Sequence, residues 1–153
     1  MIWTPHATVA TIVEQDGRFL FVDEMADGKR VLNQPAGHVD EREPILDAAV
    51  RETLEETGWE VEITHLIGIY TYTAPHNRVT YYRFCYAARP VRQIPDAELD
   101  HDIYGPVWLS LDELKARQDQ WRSPLVLKCV EDYVAGRSFP LDLVYEHPLP
   151  EVI

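Results

Sequence analysis

The sequence predicts an α/β sandwich. Runs rich in β-branched residues are separated by Asp-Gly and Pro-His-Asn turns, one amphipathic helical pattern lies between two hairpins, and a second lies toward the C-terminus. At 153 residues, 1–153 read as one domain with enough chain to bury a core.

Residues 6–14, HATVATIVE, read as a strand. Asp16-Gly17 is a hairpin turn, and 18–24 return as the partner strand. Asp27-Gly28 marks a second turn before Lys29-Arg30-Val31-Leu32, and Asn33-Gln34-Pro35-Ala36 leads into Gly37. Residues 44–57 predict a helix. Pro44 suits its first turn, Gly58 suits the left-handed position that ends it, and Ile45, Leu46, Ala48, Ala49 and Leu54 supply the apolar face. Residues 60–73 alternate as a long strand, with a break expected at Gly68, and 79–88 pair back. The acidic, proline-containing stretch 89–102 reads as a loop, and 106–109 as a short strand. Ser110 is placed to N-cap one helix. Ser123-Pro124 starts the last, with Val126, Val130, Tyr133 and Val134 on one face and Gly136 at its end. Residues 137–153 read as an extended tail on the surface.

Glu52, Glu55 and Glu56 stand at i, i+3 and i+4, so at about 100° per residue their carboxylates converge on one patch. Like charges at i, i+4 cost a helix stability, and hard oxygen donors clustered in this way suit Mg²⁺ or Mn²⁺. The structural alternative is a solvated acidic face.

The stretch 37–59 resembles the Nudix box, G-x5-E-x7-R-E-U-x-E-E-x-G-U, with U a bulky apolar residue. Gly37, Glu43, Arg51, Glu52, Glu55, Glu56 and Gly58 fall on its fixed positions; Thr53 and Trp59 occupy the two U positions, and Thr53 is the smaller and more polar departure. Pro35-Ala36-Gly37-His38, Arg83 within Tyr-Arg-Phe, Trp108 and Arg122-Ser123-Pro124-Leu125 resemble the bacterial NudJ-type members of that family. The resemblance implies a mixed sheet between helices, and hydrolysis of a phosphoanhydride in a small diphosphate compound. Its subgroup part implies phosphatase action on thiamine diphosphate, hydroxymethylpyrimidine diphosphate and nucleoside di- and triphosphates. Two other readings remain open: a nucleoside diphosphate-sugar or dinucleotide hydrolase, and a non-catalytic nucleotide-sensing Nudix domain.

Position by position, the resemblance makes Glu52, Glu55 and Glu56 metal ligands, with Glu52 also a proton acceptor. It places Gly37 where the backbone turns sharply or approaches the metal. Arg51 is read as orienting the site through Glu43, against the alternative of an ordinary pair with Glu55. Glu98, Asp100 and Asp102 are candidates for a base outside the helix, with Asp102 first. Arg83, His38 and Arg78 are the candidate substrate contacts, although Arg83 equally suits a surface ion pair. Tyr72, Tyr82, His76 and Trp3 are candidates to stack on a heterocycle, or else pack the core.

The net charge of −12 disfavours nucleic acid and anionic membrane as partners, and makes a cation necessary if the substrate is anionic. Cys85 and Cys129 lack metal or redox spacing and are expected as buried free thiols. The start Met1-Ile2-Trp3-Thr4-Pro5-His6 has neither a basic region nor an apolar run, so a cytoplasmic protein is expected. The acidic surface neither requires nor forbids a homodimer over a monomer.

Overall fold

The structure is a computed structural model that describes residues 1–151. Seven strands and three helices follow one another as β1 (His6–Gln15), β2 (Arg18–Ala26), β3 (Lys29–Asn33), β4 (Ala36–His38), α1 (Ile45–Thr57), β5 (Trp59–Thr73), β6 (Thr80–Gln93), β7 (Ile103–Leu109), α2 (Leu111–Lys115) and α3 (Leu125–Val134). The sheet runs β3-β2-β1-β6-β5, with β4 also on β1 and β7 also on β2. Only β1 and β6 pair in parallel, His6 opposite Tyr81 through Val13 opposite Ala88; the other pairings are antiparallel.

Side-chain alternation along β1 decides which helix covers which face. Val9 packs with Ala48 and Ala49 of α1, Leu66 and Tyr86. Its neighbours Ala10 and Ile12 pack on the opposite face with Cys85, Val126, Cys129 and Val130, beneath α3. Helices therefore cover both faces of a mixed sheet, and the α/β/α sandwich is the observed architecture. Cys85 and Cys129 are both buried and unbridged.

Several elements differ from the sequence expectation for identifiable reasons. Pro44 has φ −60° but ψ 140°, so it is the N-cap and the helix begins one residue later. With no capping side chain of its own, α1 takes one from the tail, where Glu146 Oε1 accepts the Ile45 N–H at 2.8 Å. Leu54 faces outward, and Thr53, Glu56 and Thr57 complete the buried side of α1 instead. Val134 is likewise exposed, and Cys129 takes its place on the buried face of α3. Strand β6 runs on through Arg89–Gln93, which we expected as loop. Pro90 is tolerated because pairing with β1 ends at Ala88, leaving that edge without a partner that needs its N–H. Gly68 does not interrupt β5 but sits at a register shift between Leu66 and Gly68.

Ser110 caps α2 with its hydroxyl on the Glu113 N–H, and Glu113 reaches back to Ser110 N. The departure at Thr53 is accommodated by a second hydroxyl. Thr53 Oγ1 donates to Ala49 O at 2.8 Å and accepts from Thr11 Oγ1 of β1 at 2.8 Å, both residues being fully buried. Thr53→Val should therefore strand the Thr11 hydroxyl and cost about 1–3 kcal/mol. Adding Thr11→Val should recover most of that loss; urea unfolding of the two single variants and the double variant measures the coupling.

Candidate active site

Helix α1 presents its acids beside β4, and the arrangement begins with Arg51. Its guanidinium donates to Glu43 through Nε to Oε2 at 2.7 Å and Nη2 to Oε1 at 3.0 Å, a two-pronged pair. Nη1 then bridges Glu52 Oε1 at 2.8 Å and Glu55 Oε2 at 3.0 Å, while Nη2 also reaches the His38 carbonyl at 3.0 Å. The two sequence readings of Arg51 are thus combined: it holds the loop through Glu43 and also pairs with Glu55 on its own helix.

Gly37 lies against Glu52 so closely that a Cβ there would overlap the Glu52 carboxyl group. Its neighbour Ala36 donates its backbone N–H to Glu56 Oε1 at 2.8 Å. Glu56 is 8% exposed, and burial pushes its pKa up to about 9, against the Ala36 hydrogen bond and with help from the charges of Glu24, Glu52 and Asp100. Burial also raises Glu52, partly offset by Arg51.

The loop between β6 and β7 completes the cluster. Ile94 N bonds Gly58 O at 2.8 Å and Asp100 N bonds Glu55 O at 3.2 Å, so the loop docks on the last turn of α1. Carboxylate oxygens of Glu52, Glu55 and Asp100 then lie within 4.8 Å of one another. Asp100, not Asp102, is the loop acid in this group. The backbone of Asp102 is tied to β2 through Met25 N at 2.9 Å, and its side chain is 69% exposed. Three hard oxygen donors at this spacing, with a fourth carboxyl buried beside them, fit a hard divalent cation. Glu52, Glu55 and Asp100 could hold it, with Glu56 adjacent.

Ala36 and Gly37 of β4 also line a cleft of ≈ 220 Å³, together with Asn33, Arg83, Arg122 and Ser123. Tyr72, Tyr81, His38 and His76 also line it. Arg83 is 7% exposed and makes no surface ion pair. His38 sits at the rim, 3.0 Å from His6 through their ring nitrogens, and burial lowers its pKa. Arg78 is exposed in the β5–β6 turn and does not line the cleft; His76 and Asn77 do. Tyr82 and Trp3 face away and contact each other edge-on at 6.3 Å. Tyr81 lines the cleft where Tyr82 does not, because it shares a strand face with Arg83.

Two participants were missed in the sequence. Glu24 is buried on β2, in line with Leu20 and Val22, and pairs with Arg122. Burial raises its pKa and Arg122 opposes the rise. A carboxylate continuing an apolar i, i+2 series was the available signal for Glu24, and the Arg122-Ser123-Pro124 run was the signal for Arg122.

The NUDIX domain model matches residues 3–129, and the chain belongs to the Nudix hydrolase family. Phosphatase NudJ of Escherichia coli (strain K12) and that of Shigella boydii serotype 4 (strain Sb227) are each 35% identical to it over 149 residues, 97% of this chain and 96% of theirs. A NUDIX hydrolase from Nitrosomonas europaea matches its structure with a TM-score of 0.92 and 43% identity, over 94% of this chain and 98% of that one. The protein is accordingly an enzyme that hydrolyses phosphorus-containing anhydrides in small diphosphate compounds. Nudix hydrolases generally use divalent metals, and the acidic cluster matches that requirement. Among the described residues, no helix is long and apolar enough to cross a membrane.

Glu56 makes the metal-free protein sensitive to pH. Its folded pKa of about 9 lies above the unfolded value of 4.5, so the folded state binds the proton more tightly. This contribution is fully present below the unfolded pKa and is lost as pH rises toward 9. In EDTA the wild-type melting temperature should fall between pH 5 and 9 relative to Glu56→Gln, and Mg²⁺ should raise it more at pH 8 than at pH 6; differential scanning calorimetry reads both.

Proposed function

We propose that the enzyme is a phosphatase of the NudJ type, removing the terminal phosphate from thiamine diphosphate, hydroxymethylpyrimidine diphosphate and nucleoside di- and triphosphates, with Mg²⁺ as its cation and Mn²⁺ as a substitute. The observation that carries this reading is the Glu52, Glu55 and Asp100 cluster set beside a cleft that contains Arg83. The 35% identity to Phosphatase NudJ over nearly the whole chain supports the choice of subgroup.

Glu52, Glu55 and Glu56, together with Asp100, would hold the cation, and Gly37 lets the β4 backbone lie against Glu52. The cation supplies charge neutralisation and polarisation at the phosphate oxygens. Arg51 positions Glu52 and Glu55 through its shared Nη1, and Glu43 fixes Arg51 in turn. Glu52, whose proton affinity burial has raised, accepts the proton of the attacking water. Arg83 and His38 contact the substrate in the cleft, and Tyr72, Tyr81 and His76 lie beside its organic part.

Malachite-green phosphate release from a panel of thiamine diphosphate, nucleoside di- and triphosphates and ADP-ribose, with Mg²⁺ and EDTA arms, tests the reading. Phosphate should appear from the first three and only with Mg²⁺. Glu52→Gln should lower kcat by about 10²–10⁴-fold, and Glu56→Gln should abolish turnover with a melting temperature at or above wild type. Undiminished turnover in folded Glu56→Gln sinks the ligand assignment, and turnover of ADP-ribose alone sinks the substrate class.

A further inference from the structure

Arg83 carries a buried charge for which the described residues provide no counter-ion. Its hydrogen bonds go to Gln34 Oε1 at 2.9 Å, Asn33 Oδ1 at 3.2 Å and Cys129 Sγ at 3.8 Å, all neutral groups on buried residues. These partners are held in place, since Gln34 Nε2 donates to Val126 O at 2.6 Å. A guanidinium buried without an anion is costly, and these bonds use only part of its five N–H donors. The acids nearby are engaged elsewhere. Glu24 pairs with Arg122, and Asp27 at the cleft wall pairs with His76 at 3.1 Å.

Two further features point the same way. Arg83 lines the cleft, so its free donors face space that a ligand can fill. Leu125, the first residue of the ten-residue α3, lines it too, and the positive end of that helix adds to the field of Arg83. Gln34 and Cys129, to which the guanidinium bonds, are both fully buried.

We propose that Arg83, with Arg122, Ser123 and the N-terminus of α3, forms an anion subsite for the free terminal phosphate of the substrate, and that this subsite selects compounds with an unesterified phosphate end. A terminal phosphate carries more charge to set against the guanidinium than one esterified on both sides. A neutral heterocycle in this position would leave Arg83 uncompensated. The inference rests on the phosphatase reading for its substrate but not for the anion, so the two can fail separately.

Asn33→Asp is the test variant. It is close to isosteric and places a carboxylate where Arg83 Nη2 now meets an amide oxygen. Inorganic phosphate is titrated calorimetrically into the full chain in EDTA, as wild type, Asn33→Asp and Arg83→Lys. Wild type should bind phosphate saturably, and Asn33→Asp should bind it at least tenfold more weakly with an unchanged or higher melting temperature. Arg83→Lys should fall between them and carries the test if Asn33→Asp fails to fold. Equal binding by wild type and variants, or no binding by wild type, overturns the subsite. In the activity arm, kcat/KM for ADP should drop at least tenfold in Asn33→Asp while any rate on ADP-ribose is unmoved. An equal loss on both substrates overturns the selectivity. If no substrate turns over, the phosphatase reading has failed and the phosphate titration still decides the subsite.

Discussion

The site depends on how Arg51 holds carboxylates that would otherwise repel one another. Glu52 and Glu55 share its Nη1, while Glu43 takes Nε and Nη2 from the loop before the helix. One guanidinium therefore ties together a loop and two positions of the next helix. A lysine there would provide the charge without the planar fork that meets two partners in defined directions. The arrangement is still underbalanced. Glu56 lies beyond direct contact with Arg51, among Glu24, Glu52 and Asp100, and burial raises its proton affinity most. A helix face with too many acids for its arginine, partly withdrawn from water, suits a divalent cation.

Strand β4 carries this requirement to the cleft. In three residues it pairs with Thr8–Ala10 of β1, gives Ala36 N–H to Glu56 and places Gly37 against Glu52. The same residues line the cleft that reaches Arg83. The acidic and cationic ends of the site thus share one short wall. Displacing that wall would disturb both ends at once, which explains why a glycine with no room for a side chain sits in the middle of it.

What was legible in the sequence was local. Gly58 ends α1 at φ 75°, Ser110 forms its capping box, and the box acids converge on one side, because each depends on residues within a turn or two. What was not legible depended on pairing across long separations. Asp100 and Asp102 are indistinguishable in an acidic loop; only docking on Gly58 and Glu55 brings the exposed Asp100 beside Glu52 and Glu55 and leaves Asp102 apart. Arg78 looked like a substrate cation but is exposed and does not line the cleft, although His76 and Asn77 of the same turn do. Tyr82 and Tyr81 were separable in principle. Once Arg83 faces the cleft, i, i+2 parity brings Tyr81 with it and sends Tyr82 to Trp3. Glu146 of the tail, which caps α1 from 101 positions away, left no local trace at all.

The two ends of the site hold buried groups of opposite kind. Glu56 is held protonated by its surroundings at neutral pH, and Arg83 is held charged without an anion. Glu24 pairs with Arg122 and lies near enough to both ends to act on Glu56 and to feel the charge of Arg83. A cation brought to the acidic end would favour the charged form of Glu56, and a phosphate in the cleft would give Arg83 an anion, so the two components of a cation-bound diphosphate suit the two ends of the site.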